Sequence, residues 1–151
     1  ASFQRNSRDS SIQGGSVRRA GEGVDPRKRQ ERRHVMQITA AAVGTIDKAQ
    51  WAAYKTRFRP NEKVHQPWID HNDKSVNGGL AFLNDLAEEA GESGWLAGTD
   101  KMSQADVSGV VAYSFSGMAR PKLGIADAYP ALAAFAARME ATEEFCASPL
   151  P

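Results

Sequence analysis

Trp95-Leu96-Ala97-Gly98-Thr99-Asp100-Lys101-Met102-Ser103-Gln104-Ala105-Asp106-Val107 is the stretch on which the fold turns. A short apolar connection runs into Ser103-Gln104-Ala105-Asp106, which places a hydroxyl at a helix N-cap and a carboxylate three residues on. Each side chain can then accept from the other's backbone N–H, so the pair starts a helix. Val107, Val110, Val111 and Ser114 follow on one face, with Tyr113, Phe115 and Met118 on others, until Arg120-Pro121 stops the run. A helix apolar nearly all round is a buried one, so this segment is expected to be the central helix of a helical domain. Val111, Tyr113 and Phe115 alternate as in a strand, but the capping box and the segment's length favour helix.

Working outward, Asp25-Pro26 fits an N-cap followed by proline at the first helical position, where a missing N–H costs nothing. Val35, Ile38, Ala42 and Ile46 recur at helical spacing, and Trp51, Tyr54 and Phe58 resume it beyond Gly44. One long helix is expected, kinked or broken between Gly44 and Asp47 and ended by Arg59-Pro60. A second should start near Pro67 and run to Ala90, with Val76, Leu80, Leu83 and Ala87 on one face and Gly91 to Gly94 ending it. The pair Gly78-Gly79 inside it costs about 1 kcal/mol per glycine relative to alanine, a cost tolerated where helices approach closely. Beyond Gly124, Tyr129-Pro130 leads into Leu132, Phe135, Ala136 and Met139, a short amphipathic helix, and a last turn spans Glu143 to Cys146. The fold class is all-α, a bundle of about five helices over residues 25–148.

Residues 1–24 are rich in Ser, Gly, Arg and Gln, and Phe3, Ile12, Val17 and Val24 are their only sizeable apolar side chains. They cannot build a core, and read as a polar arm, a linker or the remnant of a preceding domain. They lack the apolar centre of a secretory signal, although an Arg- and Ser-rich, acid-poor segment also has an organelle-targeting character. The formal net charge of +1 is a sum of unlike parts. Residues 1–33 carry nine basic residues against four acidic, and residues 34–151 carry ten against fourteen. No apolar run approaches the roughly 20 residues that span a bilayer, and the single cysteine excludes an intrachain disulfide. A soluble protein follows, cytoplasmic or organellar.

The residue types offer little chemistry. His65 and His71 stand six apart, about 240° around a helix, and with His34 and the distant Cys146 they form no metal signature. Cys146 has no basic neighbour in sequence to lower its pKa. Gly14-Gly15 and Gly21-Glu22-Gly23 lack the Lys-Ser/Thr ending of a phosphate loop, and Ser114, Ser116 and Gly117 do not fit a nucleophile elbow. Arg27-Lys28-Arg29-Gln30-Glu31-Arg32-Arg33 is the one strong charge cluster. It is read as a solvated helix face or a surface for an acidic partner rather than a nucleic-acid arm, because no aromatic residues interleave with it.

The segment Trp95–Val107 resembles the most recognisable stretch of the C-terminal domain of glutathione transferases, an aromatic-Leu loop leading into a Ser/Thr-x-x-Asp box on a buried central helix. Tyr129-Pro130-Ala131-Leu132 is similar to the Tyr-Pro-x-Leu that opens the next helix, and Arg138-Met139 to its close. Asp25-Pro26 and Arg57-Phe58-Arg59-Pro60 are similar to the ends of that domain's first helix in bacterial members. The resemblance covers about residues 25–148. It implies the helical half of an enzyme that adds the glutathione thiolate to a small apolar electrophile, with glutathione as co-substrate, no metal, and a homodimer or another protein as partner. Within the family a thioredoxin-like α/β domain comes first and supplies the catalytic group. Nothing in these 151 residues corresponds to that domain, so the catalytic residue is unknown. Asp9-Ser10-Ser11-Ile12 is only faintly similar to its glutathione-binding serine segment. The resemblance further implies a co-substrate pocket at Thr45, Ile46, Tyr113, Phe115 and Met118, and a folding role for Ser103 and Asp106. The alternative reading is a non-catalytic interaction module or accessory subunit of a larger complex.

Overall fold

The computed structural model describes residues 26–148, with side chains from Lys28 onward. The polar segment 1–24 and the Asp25 cap lie outside the described residues. Six α-helices follow in order: α1 (Pro26–Arg57), α2 (Gln66–Ala90), α3 (Gln104–Ala119), α4 (Ile125–Ala128), α5 (Pro130–Glu140) and α6 (Glu143–Cys146). Short 3-10 turns at Asn61–Lys63 and Pro121–Leu123 join α1 to α2 and α3 to α4. No strand occurs among the described residues.

Helix α1 is unbroken over 32 residues. The expected interruption at Gly44–Asp47 does not occur, because the helix is held from both sides. Ile38, Ala42, Thr45, Ala49 and Ala52 are all buried where α1 packs on α2 and α3, and that burial outweighs the glycine's helix penalty of about 1 kcal/mol. The second half of the expected apolar face is also corrected. Trp51, Tyr54 and Phe58 are 52%, 48% and 70% exposed. With Met36 and Val43 they fall at helical spacing on the side of α1 opposite its buried face.

Helix α2 buries Ile69, Asp73, Val76, Leu80, Leu83 and Ala87, spaced three and four apart along one stripe, with Asn72 and Asn84 beside them. It ends at Gly91, whose N–H still reaches the carbonyls of Ala87 and Glu88 at 3.1 and 3.2 Å and whose φ of 62° then turns the chain out of the helix. The two glycines inside α2 play opposite parts. A β-carbon on Gly78 would meet nothing within 4 Å, whereas one on Gly79 would fall on the Thr45 side chain of α1. Gly78→Ala is therefore expected to raise stability by about 0.5–1 kcal/mol, and Gly79→Ala to lower it by about 1–3 kcal/mol. Chemical denaturation of the two adjacent variants checks the pair, and equal effects would contradict the close approach.

Helix α3 is central, as its sequence suggests, but its innermost line is not the valine row. Ala105, Ser108, Gly109, Val110, Ala112 and Ser116 are buried, while Val107, Val111, Tyr113 and Phe115 are half-buried and Met118 is 57% exposed. The close fit is explicit at Gly109, where a β-carbon would fall on the Leu96 side chain beside Leu83 of α2, so only a glycine lets the loop and α2 pack this near to α3. The core that results joins Ile38, Val76, Leu80, Leu83, Leu96, Val110, Leu132, Phe135 and Met139, with Phe145 of α6 tacked to its edge.

Candidate functional site

The loop before α3 and the first turn of α3 form one hydrogen-bonded knot around Asp106. This side chain is 0% exposed. Its Oδ1 accepts from the Leu96 N–H at 2.7 Å, and its Oδ2 from the Ser103 N–H at 2.7 Å and the Ser103 hydroxyl at 2.8 Å. The capping box is thus formed, and the carboxylate reaches further than the sequence reading gave it, to a residue ten positions upstream. Three donors on one buried carboxylate satisfy a charge that would otherwise be costly to enclose.

Two further polar anchors carry no signal in a linear reading. Arg120, at the end of α3, donates through Nε and Nη2 to Oδ1 and Oδ2 of Asp73 on α2, both at 2.7 Å, and the two residues are 4% and 8% exposed. Thr56 of α1 lies 3.4 Å from Arg120 Nη1, so this fork ties three helices at one end of the bundle. Asn84 of α2 accepts at 3.1 Å from each of the N–H groups of Ala131 and Leu132. It caps α5 from another helix, which explains how α5 starts at Tyr129-Pro130 with no capping side chain of its own. Arg138 binds the carbonyls of Glu92 and Gly94 at 2.9 and 2.6 Å and stacks near Trp95 and Phe135.

Around this scaffold, the residues expected to line a co-substrate pocket separate into two groups. Tyr113 and Met118 share a hollow of about 320 Å³ between the second half of α3 and α4, with Ser114, Gly117, Ile125 and Asp127. Thr45, Ile46 and Phe115 do not line it. Thr45 is 3% exposed with its hydroxyl donated to the Ala41 carbonyl at 2.9 Å, and Ile46 and Phe115 are half-buried against the core. The hollow carries the Tyr113 and Ser114 hydroxyls and the Asp127 carboxylate on a largely apolar wall. Burial, followed by the charges of Glu140 and Asp127, raises the Tyr113 pKa from the usual 10.0. The phenol therefore stays protonated at neutral pH and has a hydrogen to donate.

The remaining candidates do not assemble a reactive centre. Ser116 is fully buried and its hydroxyl has no hydrogen-bond partner, so no base activates it. Cys146 is exposed at the end of α6. Among the described residues no three His, Cys, Asp or Glu side chains are grouped to hold a metal, and no helix is long and apolar enough to cross a membrane. Of the basic cluster, Lys28 and Arg32 lie in an open hollow with Glu31, Val35, Met36 and Asp100.

No protein-family model matches the chain, and no curated protein matches it significantly. Solved structures do. A glutathione S-transferase from Methylobacterium radiotolerans, in complex with glutathione sulfonate, superposes with a TM-score of 0.67 and 22% identity over 82% of this chain and 55% of its own. A glutathione transferase family member from Pseudomonas fluorescens Pf-5 gives a TM-score of 0.65 and 23% identity in two crystal structures, one with bound glutathione and one with S-(propanoic acid)-glutathione. These cover 78% of this chain and 54% and 56% of the Pseudomonas protein. The chain thus spans just over half the length of the structures it matches, on their C-terminal helical part. Its fold is the helical C-terminal fold of the glutathione transferases.

Proposed function

We propose that this helical domain is the co-substrate half of a glutathione transferase, in which glutathione adds through its thiolate to a small apolar electrophile. The observation that carries this reading is the superposition on two bacterial proteins crystallised with glutathione or its derivatives. In such an enzyme the thiol must ionise near neutral pH, which takes a hydrogen-bond donor aimed at sulfur. No described residue is assigned that part. The contribution of the helical half is a rigid wall: α3 is pinned at its start by Asp106 and at its end by Arg120, so the Tyr113–Met118 hollow is held fixed. There Met118 offers an adaptable apolar surface and Tyr113 a donor to a polar substituent on the electrophile. Thr45, Ile46 and Phe115 complete the proposed lining from behind, by setting where α1 and α3 lie.

The native gene product, if it joins this chain to a thioredoxin-like domain, is expected to be retained on immobilised glutathione and to conjugate 1-chloro-2,4-dinitrobenzene. Met118→Ala in that product should raise KM for the electrophile and leave KM for glutathione unchanged. Residues 26–148 alone should do neither reaction nor retention. A native product that neither binds glutathione nor turns over any aryl halide would overturn the reading.

One observation favours a partner-binding role beside or instead of catalysis. Met36, Val43, Trp51, Tyr54 and Phe58 make an exposed apolar line down α1, and lines of that length mark contact surfaces more often than solvent-facing ones. We assign it to a second copy of the chain. Sedimentation should show a dimer that Trp51→Glu with Tyr54→Glu converts to monomer. A wild-type chain that stays monomeric at about 100 μM, where interfaces of even modest affinity fill, would remove self-association.

A further inference from the structure

The hollow between α3 and α4 carries charge of one sign. Tyr113, Ser114, Met118 and Asp127 bear its chemistry, and Asp127 is the one charged residue on its wall. A second acid reaches it through Ser114. Glu140, the last residue of α5, accepts from the Ser114 hydroxyl at 2.9 Å, a bond between residues 26 positions apart. Both carboxylates are exposed, and among the described residues neither takes part in a salt bridge.

The cations that stand nearest in sequence are directed elsewhere. Arg120 and Lys122, on either side of the lining residue Pro121, both turn to Asp73, at 2.7 and 3.4 Å. Arg138, two positions before Glu140, donates to the carbonyls of Glu92 and Gly94. The fold gives Glu140 no internal reason to be acidic, since a carboxylate at the last position of α5 opposes the helix dipole. Both negative charges are felt inside the hollow, where they add to burial in raising the Tyr113 pKa. The uncharged parts of the wall suit a substituted ring. Met118, 57% exposed, is an adaptable, polarisable surface, and the Tyr113 hydroxyl has a hydrogen for a nitro or carbonyl oxygen.

We propose that this hollow selects electrophiles that carry a positive charge, a single ring with a protonated amine on a short arm, and discriminates against carboxylates, with Asp127 as the specificity-determining residue and Glu140 as its support. The proposal rests on the reading of this hollow as the co-substrate site. An ammonium group gains a charged acceptor in Asp127. An anionic electrophile of the same shape must sit beside two carboxylates that no cation offsets, and that repulsion is the discriminating element.

The probes are 4-nitrobenzylamine, protonated at pH 7, and its neutral and anionic counterparts 4-nitrobenzyl alcohol and 4-nitrobenzoate. Each is titrated at low salt into the full 151-residue chain, with the Met118 methyl group followed by NMR. A Kd on the order of 1 mM is expected for the amine, given so small a ligand on an open wall. The alcohol should bind about threefold more weakly and the carboxylate about tenfold, which is the scale of exposed charge pairs. Salt at physiological strength should narrow both gaps. Asp127→Asn should bring the amine to within about twofold of the alcohol and leave the alcohol's own Kd unchanged. Glu140→Gln keeps an acceptor for Ser114 and should weaken the amine less than Asp127→Asn does. The proposal is overturned by no binding of the amine at several times that concentration, by an amine that binds no tighter than the carboxylate, by a preference that survives Asp127→Asn, or by amine binding that leaves the Met118 methyl unshifted. Because the titration uses neither glutathione nor turnover, its failure is read separately from a failure of the native product to conjugate 1-chloro-2,4-dinitrobenzene.

Discussion

Replacing Arg120 by alanine is expected to lower stability by about 3–5 kcal/mol, the range for removing one member of a buried ion pair. The loss is not the loss of an attraction alone. Asp73 would keep its carboxylate at 8% exposure with only Lys122 Nζ at 3.4 Å, and Lys122 is a solvent-facing residue whose contact is weak. With the guanidinium gone, the buried carboxylate is left without its two closest donors, and α2, α3 and Thr56 of α1 lose their shared anchor. Thermal unfolding should show a midpoint lower by about 10–20 °C, given a few degrees per kcal/mol for a domain of this size. The double variant Asp73→Leu with Arg120→Met separates the causes. It should recover much of the loss, since an apolar pair of similar volume leaves no orphaned charge. An Arg120→Ala protein that melts with the wild type would show that the fork contributes nothing to stability.

Asp106→Ala comes second, at about 2–5 kcal/mol, from the N–H groups of Leu96 and Ser103 left buried or half-buried without an acceptor. A helix cap on the surface costs about 1 kcal/mol to delete. The larger figure here rests on the bond to Leu96, which anchors the loop to the helix as well as starting the helix. Asp106→Asn should sit between wild type and Ala, because its amide oxygen can accept from one N–H while its NH2 group confronts the other. Ser103→Ala tests the division of labour. It removes the hydroxyl and spares both backbone bonds to Asp106, so a loss near 1 kcal/mol is expected. If Ser103→Ala equals Asp106→Ala in a denaturant titration, the long-range bond to Leu96 is not the source of the difference.

Much of this molecule was legible from local chemistry. Ser103 and Asp106 mark the start of α3 because the requirement they meet lies within one turn, and Pro60, Gly91 and Arg120-Pro121 mark ends for equally local reasons. The 3.6-residue period located α2 and α5 because each has a single buried stripe. It failed on α1 for a reason visible in Trp51, Tyr54 and Phe58. That helix is apolar on two opposite sides, and periodicity finds an apolar side without saying whether the core or the solvent faces it. It also mis-ranked α3, where Ala105, Gly109, Ala112 and Ser116 are buried alongside Val110 while Val107 and Val111 are only half-buried.

The candidate site was less legible than the fold. Tyr113 and Met118 could be placed together because they sit on one helix, whereas Thr45 turned out to face Gly79 of α2, a contact between residues 34 apart that no window contains. The Asp73–Arg120 fork, the Asn84 cap on α5 and the Ser114–Glu140 bond join residues distant in sequence. The sequence by itself determined where α2, α3 and α5 run and where α1 stops, since capping, proline and glycine act within a few residues, but it left α4 unread and expected a break in α1 that does not occur. The tertiary structure alone decided which side of each helix is inside, which polar groups meet, and where hollows remain, since those follow from the packing of helices against one another.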